Sequence, residues 1–222
     1  MQSAAPNLSI KNSARKLACF LATAGLVCTS YAKSPASCGQ GQPDTDVVYS
    51  RSGLSSGICL SDGRYATLRY AVKSREISIE LGDKRTVLEN IPKGFNPELV
   101  DADKNIRILP ARLQPYLPQH VVLYLSARRT NGGDGGGQCG AGAEIYLNVL
   151  NLNTDKPRLI SKNLIASCSE SIELDGSETA VTDFNGYSVV NGRLTINFLS
   201  YKDKDGMPEA HLSEDLTRLE FR

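Results

Sequence analysis

The sequence predicts an all-β protein: antiparallel hairpin or meander sheets packed as a small two-sheet β domain, stapled by two disulfides and containing little helix. Three observations carry this. Strand-like runs recur along the chain, glycine-containing turn signals separate several of them, and no long stretch shows a helical period.

The runs are 66–72 (ATLRYAV), 76–81 (EISIEL), 120–127 (HVVLYLSA), 144–152 (EIYLNVLNL), 158–161, 186–190, 193–201 (RLTINFLSY) and 216–221 (LTRLEF). EISIEL and RLTINFL alternate apolar with polar residues, as a half-buried antiparallel strand does. Asn191-Gly192 separates two runs and predicts a type I′ hairpin, whose two central residues need positive φ. Residues 60–64 (LSDGR) and 204–206 (KDG) read as further turns. A short helix is expected from Asn96, with Pro97 at its first position. Tyr65, Tyr70, Tyr124, Tyr146, Tyr187 and Tyr201 fall in strand patterns and are expected on half-buried sheet faces.

Four segments follow. Residues 1–32 carry Lys11, Arg15 and Lys16, an apolar run (LACFLATAGLVC) and the small-x-small site Ser30-x-Ala32. That is the order of a secretory signal, cleaved near Ala32, and the run falls short of the ~20 apolar residues that span a bilayer. Val27 stands where a lipidation site on Cys28 wants a small residue. Residues 33–91 form an N-terminal β unit, and 92–119 a connection. Within it, Pro92, Pro97, Pro110, Pro115 and Pro118 remove ladder donors and argue against a central strand. Residues 120–222 form a C-terminal β unit, the whole of 33–222 being expected as one compact domain in the periplasm or outside the cell.

Cleavage changes the charge and the cysteine arithmetic. The 25 basic residues fall to 22 against 24 acidic ones, near −2, so no nucleic-acid surface is expected. Cys38, Cys59, Cys139 and Cys168 remain, an even set in an oxidising compartment. Three pairings are open, and proximity favours Cys38–Cys59 with Cys139–Cys168, each worth about 3–4 kcal/mol on the chain-entropy model. No C-x-x-C pair occurs and only His120 and His211 are available to join the cysteines, so no metal is expected.

Residues 129–144 (RTNGGDGGGQCGAGAE) hold seven glycines between two strong strand patterns, hence a long hairpin loop. Gly135-x-Gly137-x-x-Gly140 has the dinucleotide spacing, but a strand pattern rather than a helix follows, and no Lys-Ser/Thr makes it a phosphate loop. A calcium repeat needs Asp where Gly137 stands. No cofactor is expected. One reading of the segment is a surface connection. The sharper reading is a slim loop, tied through Cys139, that enters a narrow cleft of another protein, since glycine permits close backbone approach. Its candidate contact residues are Arg128, Arg129, Asn131, Asp134, Gly135, Gly136, Gly137, Gln138 and Glu144.

Catalytic patterns are weak by comparison. Residues 53–57 match G-x-S-x-G around Ser55, but the elbow needs a helix directly afterwards, and Cys59 followed by a turn stands there instead. Residues 203–206 resemble part of a calcium loop, with Tyr201 and Leu212 at positions that require acids. The expectation is therefore a non-enzymatic exported binding protein, an inhibitor or immunity protein that blocks a toxin or cell-wall hydrolase by loop insertion. The alternatives are a solute- or glycan-binding β module, despite the absence of Trp, and a serine hydrolase using Ser55.

Overall fold

The computed structural model describes Cys38 and residues 47–50, 53–90, 106–129, 143–154, 156–167, 169–175, 184–202, 204 and 206–222, all within one unit, Ser34–Arg222. Residues 1–32, expected as a secretory signal, the expected helix at Asn96 and residues 130–142 of the glycine segment lie outside the described residues. All described strands pair antiparallel.

The first sheet is a five-stranded meander: β1 (Val47–Ser50), β2 (Gly53–Cys59), β3 (Tyr65–Ala71), β4 (Glu76–Leu81) and β5 (Lys84–Asn90), paired in chain order. At the β2–β3 turn the Gly63 amide donates to the Leu60 carbonyl at 3.0 Å, and Gly63 has φ +82°. Strand β5 was not foreseen. Its sequence, KRTVLEN, is too polar to read as a half-buried strand, yet it closes the meander as an edge. Arg85 there donates to Glu76 at 2.9 Å, and charged side chains suit an edge that must not pair further.

The second sheet runs β6 (Ile106–Ile108), β7 (Val121–Arg129), β8 (Ala143–Asn151) and β9 (Arg158–Ala166). The proline-rich stretch is thus more than a connection. It supplies edge strand β6 and two 3₁₀ turns, Ala111–Leu113 and Leu117–Gln119, the only helical elements among the described residues. Beyond β6, the buried Gln114 side chain substitutes for a strand. Its Oε1 accepts from the Leu123 amide at 2.8 Å, and its Nε2 donates to the carbonyls of Leu123 and Leu109.

The third sheet is β10 (Ile172–Leu174), β11 (Tyr187–Val190), β12 (Arg193–Tyr201), β13 (Glu209–Leu212) and β14 (Leu219–Phe221). Strand β12 carries β10 and β11 along one edge and β13 along the other, with β14 outside β13. The β11–β12 turn has φ +51° at Asn191 and +74° at Gly192, as its Asn-Gly sequence requires.

Among the described residues three sheets replace the expected two, and the packing shows why the second is special. One core joins Leu123, Leu125, Leu147 and Val149 to Leu194, Ile196, Phe198 and Leu212 of the third sheet. The other joins Val122, Tyr124 and Leu150 to Leu54, Ile58, Leu68 and Ile79 of the first. Neighbouring residues of β7 therefore face opposite cores, and the second sheet is the middle layer. A strand buried on both faces has no polar side to show, which explains why HVVLYLSA is nearly continuous in apolar residues.

Of the two expected disulfides, Cys38–Cys59 is formed, with Cα atoms 5.8 Å apart; Cys139 and Cys168 lie outside the described residues. No helix among the described residues is long and apolar enough to cross a membrane.

The tyrosines are deeper than a half-buried face implies: Tyr65, Tyr70, Tyr124 and Tyr187 are buried. Burial pushes the phenols of Tyr70, Tyr116, Tyr124 and Tyr187 above the usual range. A raised folded pKa means that the native state holds a proton the unfolded chain has lost above pH 10. Stability is then expected to fall as pH rises past 10, by up to about 1.4 kcal/mol per pH unit for each of the deeply buried Tyr124 and Tyr187. Alkaline titration should show tyrosinate absorbance of Tyr124 and Tyr187 appearing together with loss of the β circular dichroism. Ionisation of every tyrosine with the fold intact would refute it.

Candidate functional site

The site is built where β7 and β8 end, beside the glycine segment. Opposite residues on this face run Val122↔Leu150, Tyr124↔Asn148, Ser126↔Tyr146 and Arg128↔Glu144, from apolar through polar to charged. Asn148 is fully buried, and its Nδ2 donates to Ser126 Oγ at 2.9 Å and to the Tyr146 carbonyl at 3.1 Å. A buried amide needs such partners, and the two on β7, the Ser126 hydroxyl and the Tyr124 carbonyl at 3.3 Å, tie β8 to β7 in register.

Beyond Asn148 lie five groups. Arg128 forms an ion pair with Glu89 of β5, and Lys162 Nζ of β9 sits 3.0 and 3.2 Å from the two oxygens of the same carboxylate. Tyr146 donates its hydroxyl to Glu144 at 2.7 Å. The Tyr146 ring lies under both cations, 4.4 Å from Lys162 Nζ and 5.7 Å from the Arg128 guanidinium carbon. Arg128, Glu89 and Lys162 are about three-quarters buried, so these contacts are screened less than surface pairs.

Burial and the neighbouring Arg128 guanidinium draw the Lys162 ammonium down to about 8, against the opposing pull of Glu144 and despite direct contact with Glu89. Burial, reinforced by the Glu144 carboxylate that accepts its hydroxyl, pushes Tyr146 up to about 12. Such a cluster offers fixed donors and acceptors at neutral pH. The Lys162 ammonium approaches titration under mildly alkaline conditions.

Backbone irregularities bring the charges together. The register passes from Ile77↔Glu89 to Ser78↔Val87, leaving Leu88 as an extra residue in β5. Without it, Glu89 would share a face with the exposed Val87; with it, Leu88 packs on the first core and Glu89 reaches the middle layer. Two more bulges, at Ile160 and Ile165, bracket Lys162 in β9. Bulges re-aim side chains in this way and collect beside functional sites.

Of the residues expected to make contacts, the structure joins Arg128 and Glu144 as opposite partners at the root. Arg129 ends β7, its side chain not described, and Asn131, Asp134, Gly135, Gly136, Gly137 and Gln138 lie outside the described residues. Glu89 and Lys162 escaped sequence reasoning. The signal available was a lone carboxylate at the end of a charged strand and a lone lysine in the apolar β9, neither of which names its partner.

Ser55 sits in mid-strand β2, opposite Val48 and Arg69, so the strand–turn–helix of a nucleophile elbow is not what these residues form. A second polar cluster joins Arg64, Asp62 and His120. The Arg64 side chain donates to Asp62 at 2.6 Å and lies 3.2 Å from His120 Nδ1, which is 3.4 Å from Asp62. What little burial Asp62 has works to raise its pKa, but the Arg64 amide and guanidinium, with His120, hold it below the usual carboxylate range. Among the described residues no three His, Cys, Asp or Glu side chains group as metal ligands do. Comparison with protein-family models, curated proteins and solved structures finds no match to this chain.

Proposed function

We propose that the chain is an exported, periplasmic binding protein of inhibitor or immunity type, which blocks a toxin or cell-wall hydrolase by inserting residues 131–142 into its cleft. The observation that carries this reading is where the segment is rooted. It leaves the two long inner strands of the middle layer, at an end held by Glu89, Arg128, Glu144, Tyr146 and Lys162. A binding element on a rigid root loses less entropy on association than one on a mobile edge. Its glycines let a backbone lie flush against a target.

The test replaces Gly135, Gly136 and Gly137 by serine and titrates both proteins calorimetrically against a toxin or cell-wall hydrolase that binds the wild-type chain. Affinity is expected to fall by about thirtyfold, the ~2 kcal/mol of a hot spot, with the melting temperature nearly unchanged. Equal affinity of the two proteins would make the glycines a connection only and move the binding surface to the sheet faces.

A further inference from the structure

We infer that Glu89 is the positioning residue for the end of β7 and β8 from which the glycine segment departs. This rests on the loop-binding reading above and adds the side chain that holds the root in place.

The last pairs of a hairpin lack neighbours beyond them and open locally at little free-energy cost. Here the end pair is Arg129↔Ala143, preceded by Arg128↔Glu144. Arg128 reaches across the layers to Glu89 rather than lying idle, and Glu144 takes the Tyr146 hydroxyl. Lys162 approaches the Glu89 carboxylate from β9. Strands β7 and β9 flank β8, so one carboxylate from the first sheet ties both neighbours of β8, with the β8 ring of Tyr146 beneath the two cations. The extra residue Leu88 in β5 is what turns Glu89 inward. Removing the carboxylate's charge leaves Arg128 and Lys162 close together without their shared counter-ion. Breaking a largely buried ion pair from one side is costlier than never having built it.

Hydrogen exchange on the full chain, without any partner, tests this. In Glu89→Gln, amides of 127–129 and 143–146 are expected to exchange about tenfold faster, with β12 and β13 unchanged. Glu89→Asp keeps the charge and should restore most of the protection; if Glu89→Gln does not fold, Glu89→Asp against wild type carries the comparison, with a smaller rise at the same amides. Ile196→Val, in the other core, controls for a general loss of stability. Unchanged exchange at the root, or a rise equal to that in Ile196→Val, would overturn the inference. A loosened root with undiminished affinity for the hydrolase or toxin would instead uphold the positioning role and overturn the loop as binding surface.

Discussion

Truncating Leu147 to alanine is expected to lower folding stability by about 3–4 kcal/mol, within the range for a large-to-small change at a fully packed site. Leu147 has no exposed surface and sits in β8, between β7 and β9, with the third sheet packed over it. Neither neighbouring strand can move into the vacated space without breaking its own ladder, so the cavity persists and its cost adds to the lost transfer energy. Urea unfolding followed by fluorescence or circular dichroism measures it as a lower midpoint at unchanged slope. Val87→Ala, at a side chain 46% exposed on an edge strand, is the control and should shift the midpoint little. A loss below about 1 kcal/mol at Leu147 would mean that the second and third sheets do not share this core.

Gly53→Ala is expected to cost about 3 kcal/mol or more, from backbone strain and overpacking together. A Cβ at this position would lie 1.9 Å from the Tyr70 carbonyl oxygen, and Gly53 has φ +152°. The obstacle is backbone belonging to the paired strand β3, which rotation of a side chain cannot relieve. Gly63 offers the contrast. Its Cβ would meet open space, and only its positive φ resists, so Gly63→Ala should cost about 1 kcal/mol. The same denaturation assay separates the two. Equal small losses would show that β2 does not begin against the end of β3. The result also bears on G-x-S-x-G, since the first glycine of that pattern is explained by strand packing alone.

Much of the architecture was legible because its causes are local. Asn191-Gly192 dictates its turn through backbone sterics, and RLTINFLSY marks a strand at its observed bounds, Arg193–Tyr201. Cys38 and Cys59 were paired correctly by proximity. Strand β5 was missed because an edge tolerates charge and needs few apolar residues. Strand β6 was missed because three residues amid prolines show no period, although Ile106 and Ile108 are buried. The candidate site divides the same way. Arg128 and Glu144 were found because they flank the glycines, whereas Glu89 meets Lys162 across 73 positions of sequence through a bulge that no pattern announces.

By itself, then, the sequence determined that this chain forms antiparallel strands, where several of its hairpins turn and which end of one hairpin carries the glycines. Each of these follows from side-chain alternation or from the φ that a particular residue allows. Only the tertiary structure decided that the described strands form three sheets, that HVVLYLSA lies in the middle layer, and that one carboxylate gathers Arg128 and Lys162. A fully apolar run is equally compatible with any doubly covered layer, and an ion pair between distant strands depends on the register and bulges that bring them together.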